Sequence, residues 1–142
     1  MKIRNFTLED YQQVIVLWKT CELPYKPLGR DSKESIEKEL EKGIAHFLLA
    51  EQNDRIVGSV LATHDGRKGW INRLAVLPEF RKQGLAASLV YEAERRLQAE
   101  GIGIIACLIE DDNPTSLEVF ECFGYQEFSG MHYLTKRKHP EV

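Results

Sequence analysis

The sequence predicts an α/β (α+β) chain built on a single mixed, mostly antiparallel central sheet flanked by helices. Three observations predict it. The 142 residues suit one domain, residues 1–142, long enough to bury a core without disulfides. Apolar spacing switches repeatedly between the two-residue period of strands and the longer period of helices, in the order β-α-α-β-β-β-α-β-α-β-β. One strand–helix–strand unit sits in the middle of that order, which a plain antiparallel meander lacks.

The elements follow in turn. A short strand covers residues 2–6. Thr7, with Asp10 three residues on, caps a helix whose Leu8, Tyr11, Ile15, Leu17 and Trp18 share one face as far as Cys21. Residues 23–29 hold Pro24, Pro27 and Gly29 and form a loop. A second helix starts at Asp31 or Ser32 and stops at Gly43. Strands at 46–52 and 56–63 are joined by Asn53-Asp54-Arg55. After a turn at 65–69, a fourth strand covers 70–77 and ends at Pro78. The long helix at 84–100 repeats Leu85, Leu89, Ala93 and Leu97 every four residues, and Gly101 ends it. A buried-type strand at 104–109, a helix at 114–122 stopped by Gly124, and closing strands at 125–128 and 132–136 complete the chain.

Composition narrows the function. Hydrophobic residues make up 43% and charged residues 29%, an ordinary globular balance. A net charge of −3 argues against broad binding of nucleic acid or an anionic membrane. No apolar run approaches the roughly 18 residues of a membrane span. The start, Met1-Lys2-Ile3-Arg4-Asn5, lacks the pattern of a signal peptide, so a cytoplasmic location is expected. Cys21, Cys107 and Cys122 are odd in number and scattered, which supports neither a disulfide framework nor a zinc pair; Cys107 is expected in the core. His46, His64, His132 and His139 show no ligand spacing, so no metal is expected.

The chemistry lies between the fourth strand and the long helix. Leu74-Ala75-Val76 runs through Pro78 into Arg81-Lys82-Gln83-Gly84-Leu85-Ala86. A helix start leaves several backbone N–H groups without partners at the positive end of the dipole, a ready site for phosphate. Gly84 removes a side chain that would keep a phosphate from the backbone, and Ala86 and Ala87 stay low. Arg81 and Lys82 add charge. The dinucleotide-binding and triphosphate-binding glycine motifs are both missing. On these residues alone, a plain strand-to-helix turn with a basic edge is the competing reading.

The run Leu-Ala-Val-x-Pro-x-x-Arg-x-x-Gly-x-Ala, residues 74–86, resembles the signature of the GNAT family of N-acetyltransferases. A second family-like segment follows at 113–125, from Asn113 through Phe120 to Gly124-Tyr125. Within the family the chain is similar to the small bacterial YpeA-type proteins, on Leu17-Trp18, Cys21-Glu22, His64-Asp65-Gly66 and Pro78-Glu79-Phe80-Arg81.

The resemblance implies a GNAT-like fold whose fourth and fifth strands splay apart, with acetyl-CoA as acyl donor. It puts pantetheine on the backbones of Leu74, Ala75 and Val76, and pyrophosphate on Arg81, Lys82, Gln83, Gly84, Leu85, Ala86 and Ala87. It adds Asn113 as a contact to the pantetheine arm, besides capping the last helix, and Phe120 as a helix-core aromatic that also walls the groove. A strand N–H near Ala75 would hold the developing oxyanion. The implied reaction is direct attack by an amine, of a small molecule or a peptide, within a lined site at 23–29 and 130–133.

Two positions depart from the family. Asn72 stands where a catalytic Glu is common, and Phe120 where the acid Tyr is common. Neither can carry a proton. Water, or Glu110, Asp111, Tyr25 or Tyr133, would then do that work, although Glu110 and Asp111 also read as solvated charges. The alternative is a non-catalytic acyl-CoA-binding sensor. A homodimer is expected by analogy with the fold.

Overall fold

The computed structural model describes residues 1–142. The elements are β1 (Lys2–Asn5), α1 (Tyr11–Thr20), α2 (Lys33–Glu41), β2 (Ala45–Gln52), β3 (Arg55–His64), β4 (Gly69–Val76), α3 (Leu85–Ala99), β5 (Ile105–Ala106) and α4 (Pro114–Cys122). Short 3-10 turns cover Leu8–Asp10 and Pro78–Phe80. The sheet order is β1-β2-β3-β4-β5. The first four strands are antiparallel and β5 runs parallel to β4, as the single strand–helix–strand unit requires.

Local chemistry sets the element ends. The Thr7 N–H donates to Asp10 Oδ2 at 2.8 Å, and Arg4 grips the same carboxylate through two bonds of 2.8 Å. Ser32 Oγ accepts the Ser35 N–H at 3.1 Å and starts α2. Asn53 and Asp54 turn the β2–β3 hairpin with φ of +52° and +61°, a left-handed pair these two residue types tolerate. Asn113 Oδ1 accepts the Ser116 N–H at 3.2 Å, and Pro114 opens α4 where no N–H is needed.

The core lies on both faces of the sheet. Trp18 of α1 stacks with Phe47 of β2, which stacks in turn with Phe6. Its Nε1–H donates to Ser59 Oγ at 3.0 Å, so Ser59 and α1 share a face. The neighbouring Gly58 faces the other way, where a Cβ would come within 3.1 Å of Leu89 of α3. Leu85, Leu89, Val90, Ala93 and Leu97 bury the stripe of α3 there. At the far end of α3, Glu100 pairs with both His46 and His64, the latter at 2.6 Å. Burial opposes ionisation of Glu100, but the two imidazoles hold its carboxyl below the ordinary value. No helix is long and apolar enough to cross a membrane.

The C-terminal third differs from expectation. The strand foreseen at 104–109 shrinks to Ile105–Ala106, and Ile104 and Leu108 are exposed. The closing strands at 125–128 and 132–136 do not form. Residues 126–138 make no backbone–backbone hydrogen bonds, and Phe128 and Leu134 are 82% and 87% exposed. Alternating apolar residues express a tendency to bury, but a strand also needs a paired edge, and β5 ends at Ala106. The chain end goes elsewhere: Lys26 Nζ donates to the Pro140 carbonyl at 3.1 Å, and Glu141 covers Gly29. Cys107 is half-buried rather than core, and burial pushes its thiol up to about 11.

Two stability predictions follow from these contacts. The Arg4 guanidinium holds the buried Asp10 carboxyl at about 2, against an ordinary value of 3.8. Because the folded value is the lower one, this contribution is present above about pH 4 and is lost as pH falls toward 2. Asp10→Asn should cost about 2 kcal/mol at pH 7 in urea unfolding, and the difference should shrink on acidification. Asn113→Ala should cost about 1 kcal/mol through loss of the cap, whereas Asn113→Asp should not.

Candidate active site

β4 and β5 touch only at their first residues. The paired positions are Gly69 with Ile105 and Trp70 with Ala106. Beyond Trp70 the rest of β4 is paired on the β3 side alone. Its outer edge therefore offers backbone donors and acceptors that an extended ligand can pair with as an added strand. Leu74 is half-buried and Ala75 and Val76 are buried along this edge.

β4 delivers the chain directly into a turn whose backbone donors are unpaired. The N–H groups of residues 82–87 donate to no backbone acceptor. Lys82 and Gly84 take left-handed conformations, with φ of +62° and +79°. Alternating backbone of this kind turns successive N–H groups toward one concavity. The position a Gly84 Cβ would occupy is open for 4 Å around, so glycine is required there by its φ, and the space above it is free. Arg81 spends only its Nε–H on the protein, donating to the Val76 carbonyl at 2.8 Å. The exposed residues 81–84 follow Leu74, Ala75 and Val76 by a few positions and form a surface at the head of α3. Such a surface can receive a phosphate-bearing ligand with an extended arm.

The middle of β4 bulges. Ser59 pairs with Ala75 and Leu61 with Asn72, leaving Arg73 and Leu74 opposite the single residue Val60. Arg73 has φ of +54°, a conformation that costs an ordinary L-residue about 1–2 kcal/mol. Four contacts hold it. Arg73 Nη2 donates to Asp31 Oδ2 at 2.6 Å and Nε to Oδ1 at 3.3 Å. Its guanidinium lies 5.6 Å from the Trp18 ring centre. Its carbonyl accepts Ser59 Oγ–H at 2.8 Å. Asp31, 2% exposed, also accepts the Lys26 N–H at 2.7 Å, and its own carbonyl accepts from Tyr11 Oη at 2.8 Å.

The remaining candidates are dispersed. Asn113 is exposed and caps α4; its Oδ1 is engaged and its amide N–H₂ is free of side-chain bonds. Phe120 is 7% exposed and packs edge-on against Phe123 and Tyr125, so it belongs to the core. Tyr25 leans on Trp18, with ring centres 5.8 Å apart. Tyr133, Glu110 and Asp111 are exposed. Residues 130–133 make no backbone hydrogen bond to the 23–29 loop; Glu141 and Val142 cover that loop's Gly29 instead.

Asn72 shares the α1 face of the sheet with its partner Leu61 and is exposed. Sequence reasoning overlooked a carboxylate near Arg73, the residue that follows Asn72. Glu39 is half-buried on α2, one turn beyond the buried Ile36. Burial pushes its carboxyl up, and the nearby Asp31 adds to the effect; Lys42 and Arg73 act the other way. Arg73 is already committed to Asp31, so Glu39 has no ion-pair partner. The run Lys-Glu-Leu-Glu-Lys gave no sign of this, because it reads as a solvated face. The spacing of Glu39 from Ile36 was the available signal.

Comparison with known proteins agrees with this layout. The aminoglycoside acetyltransferase AAC(6')-Iy, bound to the bisubstrate analogue CoA-S-monomethyl-acetylneamine, superposes with a TM-score of 0.79 at 21% identity, covering 96% of this chain and 97% of that one. A predicted acetyltransferase from Clostridium acetobutylicum with acetyl-CoA gives 0.77 at 16% identity over 94% and 95%. The PaiA N-acetyltransferase of Thermoplasma acidophilum with coenzyme A gives 0.73 at 19% over 85% and 86%. At these identities the overlays establish the fold. Residues 8–125, spanning β4, the turn at 81–84 and α4, match the acetyltransferase (GNAT) family, and the chain belongs to that family.

Proposed function

We propose that the chain is an N-acetyltransferase that moves an acetyl group from acetyl-CoA to an amine of a small molecule or a peptide. The observation that carries this reading is the run of unpaired N–H groups at 82–87, set at the end of a strand whose outer edge is free. Family membership supports the reaction type, and related folds hold CoA or acetyl-CoA. The YpeA-type resemblance belongs to this reading too.

Pantetheine pairs with the backbones of Leu74, Ala75 and Val76. The pyrophosphate sits on the N–H groups of Lys82, Gln83, Gly84, Leu85, Ala86 and Ala87, with Arg81 and Lys82 supplying charge. The free amide of Asn113 faces the arm, and Phe120 stiffens α4 behind it. The neutral amine attacks the thioester carbon, and an N–H near Ala75 holds the oxyanion. The C–S bond then breaks, the proton left on the attacking nitrogen passes to the departing thiolate through water, and an amide and free CoA leave. Glu39 takes the proton of the incoming ammonium, directly or through water held by the Asn72 amide; its upward-shifted carboxyl suits that task. A sensor that binds acyl-CoA without turnover is the second reading, favoured by Asn72 and Phe120 standing where proton carriers would be useful.

Acetyl-CoA at about 100 times its dissociation constant should stabilise the protein by about 2.7 kcal/mol, read as a rise in melting temperature. Gly84→Trp should abolish the rise, since a side chain there fills the space above the turn; an unchanged rise would place the phosphates elsewhere. Glu39→Gln should lower kcat by about 10²-fold or more with unchanged acetyl-CoA affinity, measured by thiol release against an amine panel. No turnover by the parent protein on a broad panel, with binding intact, would favour the sensor.

A further inference from the structure

Arg73 stands out among the residues that the proposed reaction does not itself use. It holds a left-handed φ of +54° at the one place where β4 must depart from regular pairing, and it is not glycine. Its side chain leaves the sheet on the α1 face and closes a fork on Asp31, whose other bonds fix the chain just before α2. The Tyr11 hydroxyl fastens the Asp31 carbonyl, and Trp18, lying under the guanidinium, bonds Ser59, which in turn bonds the Arg73 carbonyl. One buried carboxylate thus connects the loop at 26–31 to the backbone of β4.

We infer that Arg73 and Asp31 are a positioning pair: together they hold the β4 bulge that aims its free edge at the acyl donor, and fix the 26–31 loop on the opposite side of the reacting centre. This rests on the acetyl-CoA reading above. The pair touches neither substrate; it acts through the backbone conformation of Arg73 and Leu74. The bulge takes Arg73 and Leu74, the two residues before Ala75, out of one-to-one pairing with β3. The ion pair and the stacked ring offset a backbone state that alanine would resist and glycine would accept freely.

The difference between glycine and alanine supplies the test. Asp31→Asn/Arg73→Gly and Asp31→Asn/Arg73→Ala both delete the pair without stranding a charge, and differ only in how readily residue 73 keeps a positive φ. Acetyl-CoA affinity of the folded proteins is measured by calorimetry, with unfolding midpoints recorded alongside. The glycine protein should bind within about threefold of the parent, and the alanine protein about tenfold more weakly, the ratio expected from the cost of the left-handed state. A pair that merely stabilised the fold would move the midpoints and leave the affinity of folded protein unchanged. Equal affinities in the two variants, whether near the parent's or both weakened, would overturn the inference. If the alanine protein does not fold, the glycine protein and Arg73→Lys carry the test: both should bind within about threefold, and loss of binding in the glycine protein overturns the inference. Failure of the parent itself to bind acetyl-CoA would overturn the functional reading and this inference together, an outcome distinct from equal variants.

Discussion

The parting of β4 from β5 is the constraint on which the site depends. A parallel pair held at only two positions leaves the rest of β4 without an outer neighbour. Such an edge ordinarily invites unwanted pairing. Here it runs within a few residues into a helix start with its own unpaired donors. The edge and the helix end each have unmet hydrogen-bonding capacity, and one elongated anionic ligand of the kind proposed would satisfy both. The fold tolerates the gap because β4 is secured from its other side, through β3, α1 and the buried contacts of Arg73.

Charge is arranged to suit that division. The head of α3 carries Arg81 and Lys82, of which Arg81 is only partly engaged. Across the sheet, the α1 face gathers Asp31 and Glu39, and the half-buried Arg73 there is already paired with Asp31. The head of α3 is thus positive and the side toward α2 retains a carboxylate without an ion-pair partner. An anionic cosubstrate and a basic amine would be drawn to opposite faces of one strand, which keeps them from competing for a common surface.

The parts legible in the sequence were those written in local chemistry. Thr7 with Asp10, Ser32, Asn53 with Asp54, and Asn113 with Pro114 each mark an element end by a hydrogen bond or a φ preference that acts within four residues. The Arg81–Ala87 turn was legible for the same reason. What escaped depends on distant partners. The Trp-Ile-Asn-Arg-Leu-Ala-Val run reads as a plain strand, and only Asp31, 42 residues away, reveals why Arg73 departs from one. The apolar residues at 104–109 and 125–136 gave a true account of their hydrophobicity and a false one of their pairing, because pairing needs an edge that β5 does not extend. Phe120 reads from the sequence as a core aromatic of the last helix, and it lies there, enclosed by Phe123 and Tyr125.

The central claim is that a backbone surface, made of the β4 edge and the α3 head, receives acetyl-CoA. Backbone amide chemical shifts followed by NMR during an acetyl-CoA titration test it most directly. The account predicts that the largest changes fall on the amides of residues 74–76 and 82–87, moving together with one dissociation constant. Saturable binding that leaves the 82–87 amides unmoved would contradict it.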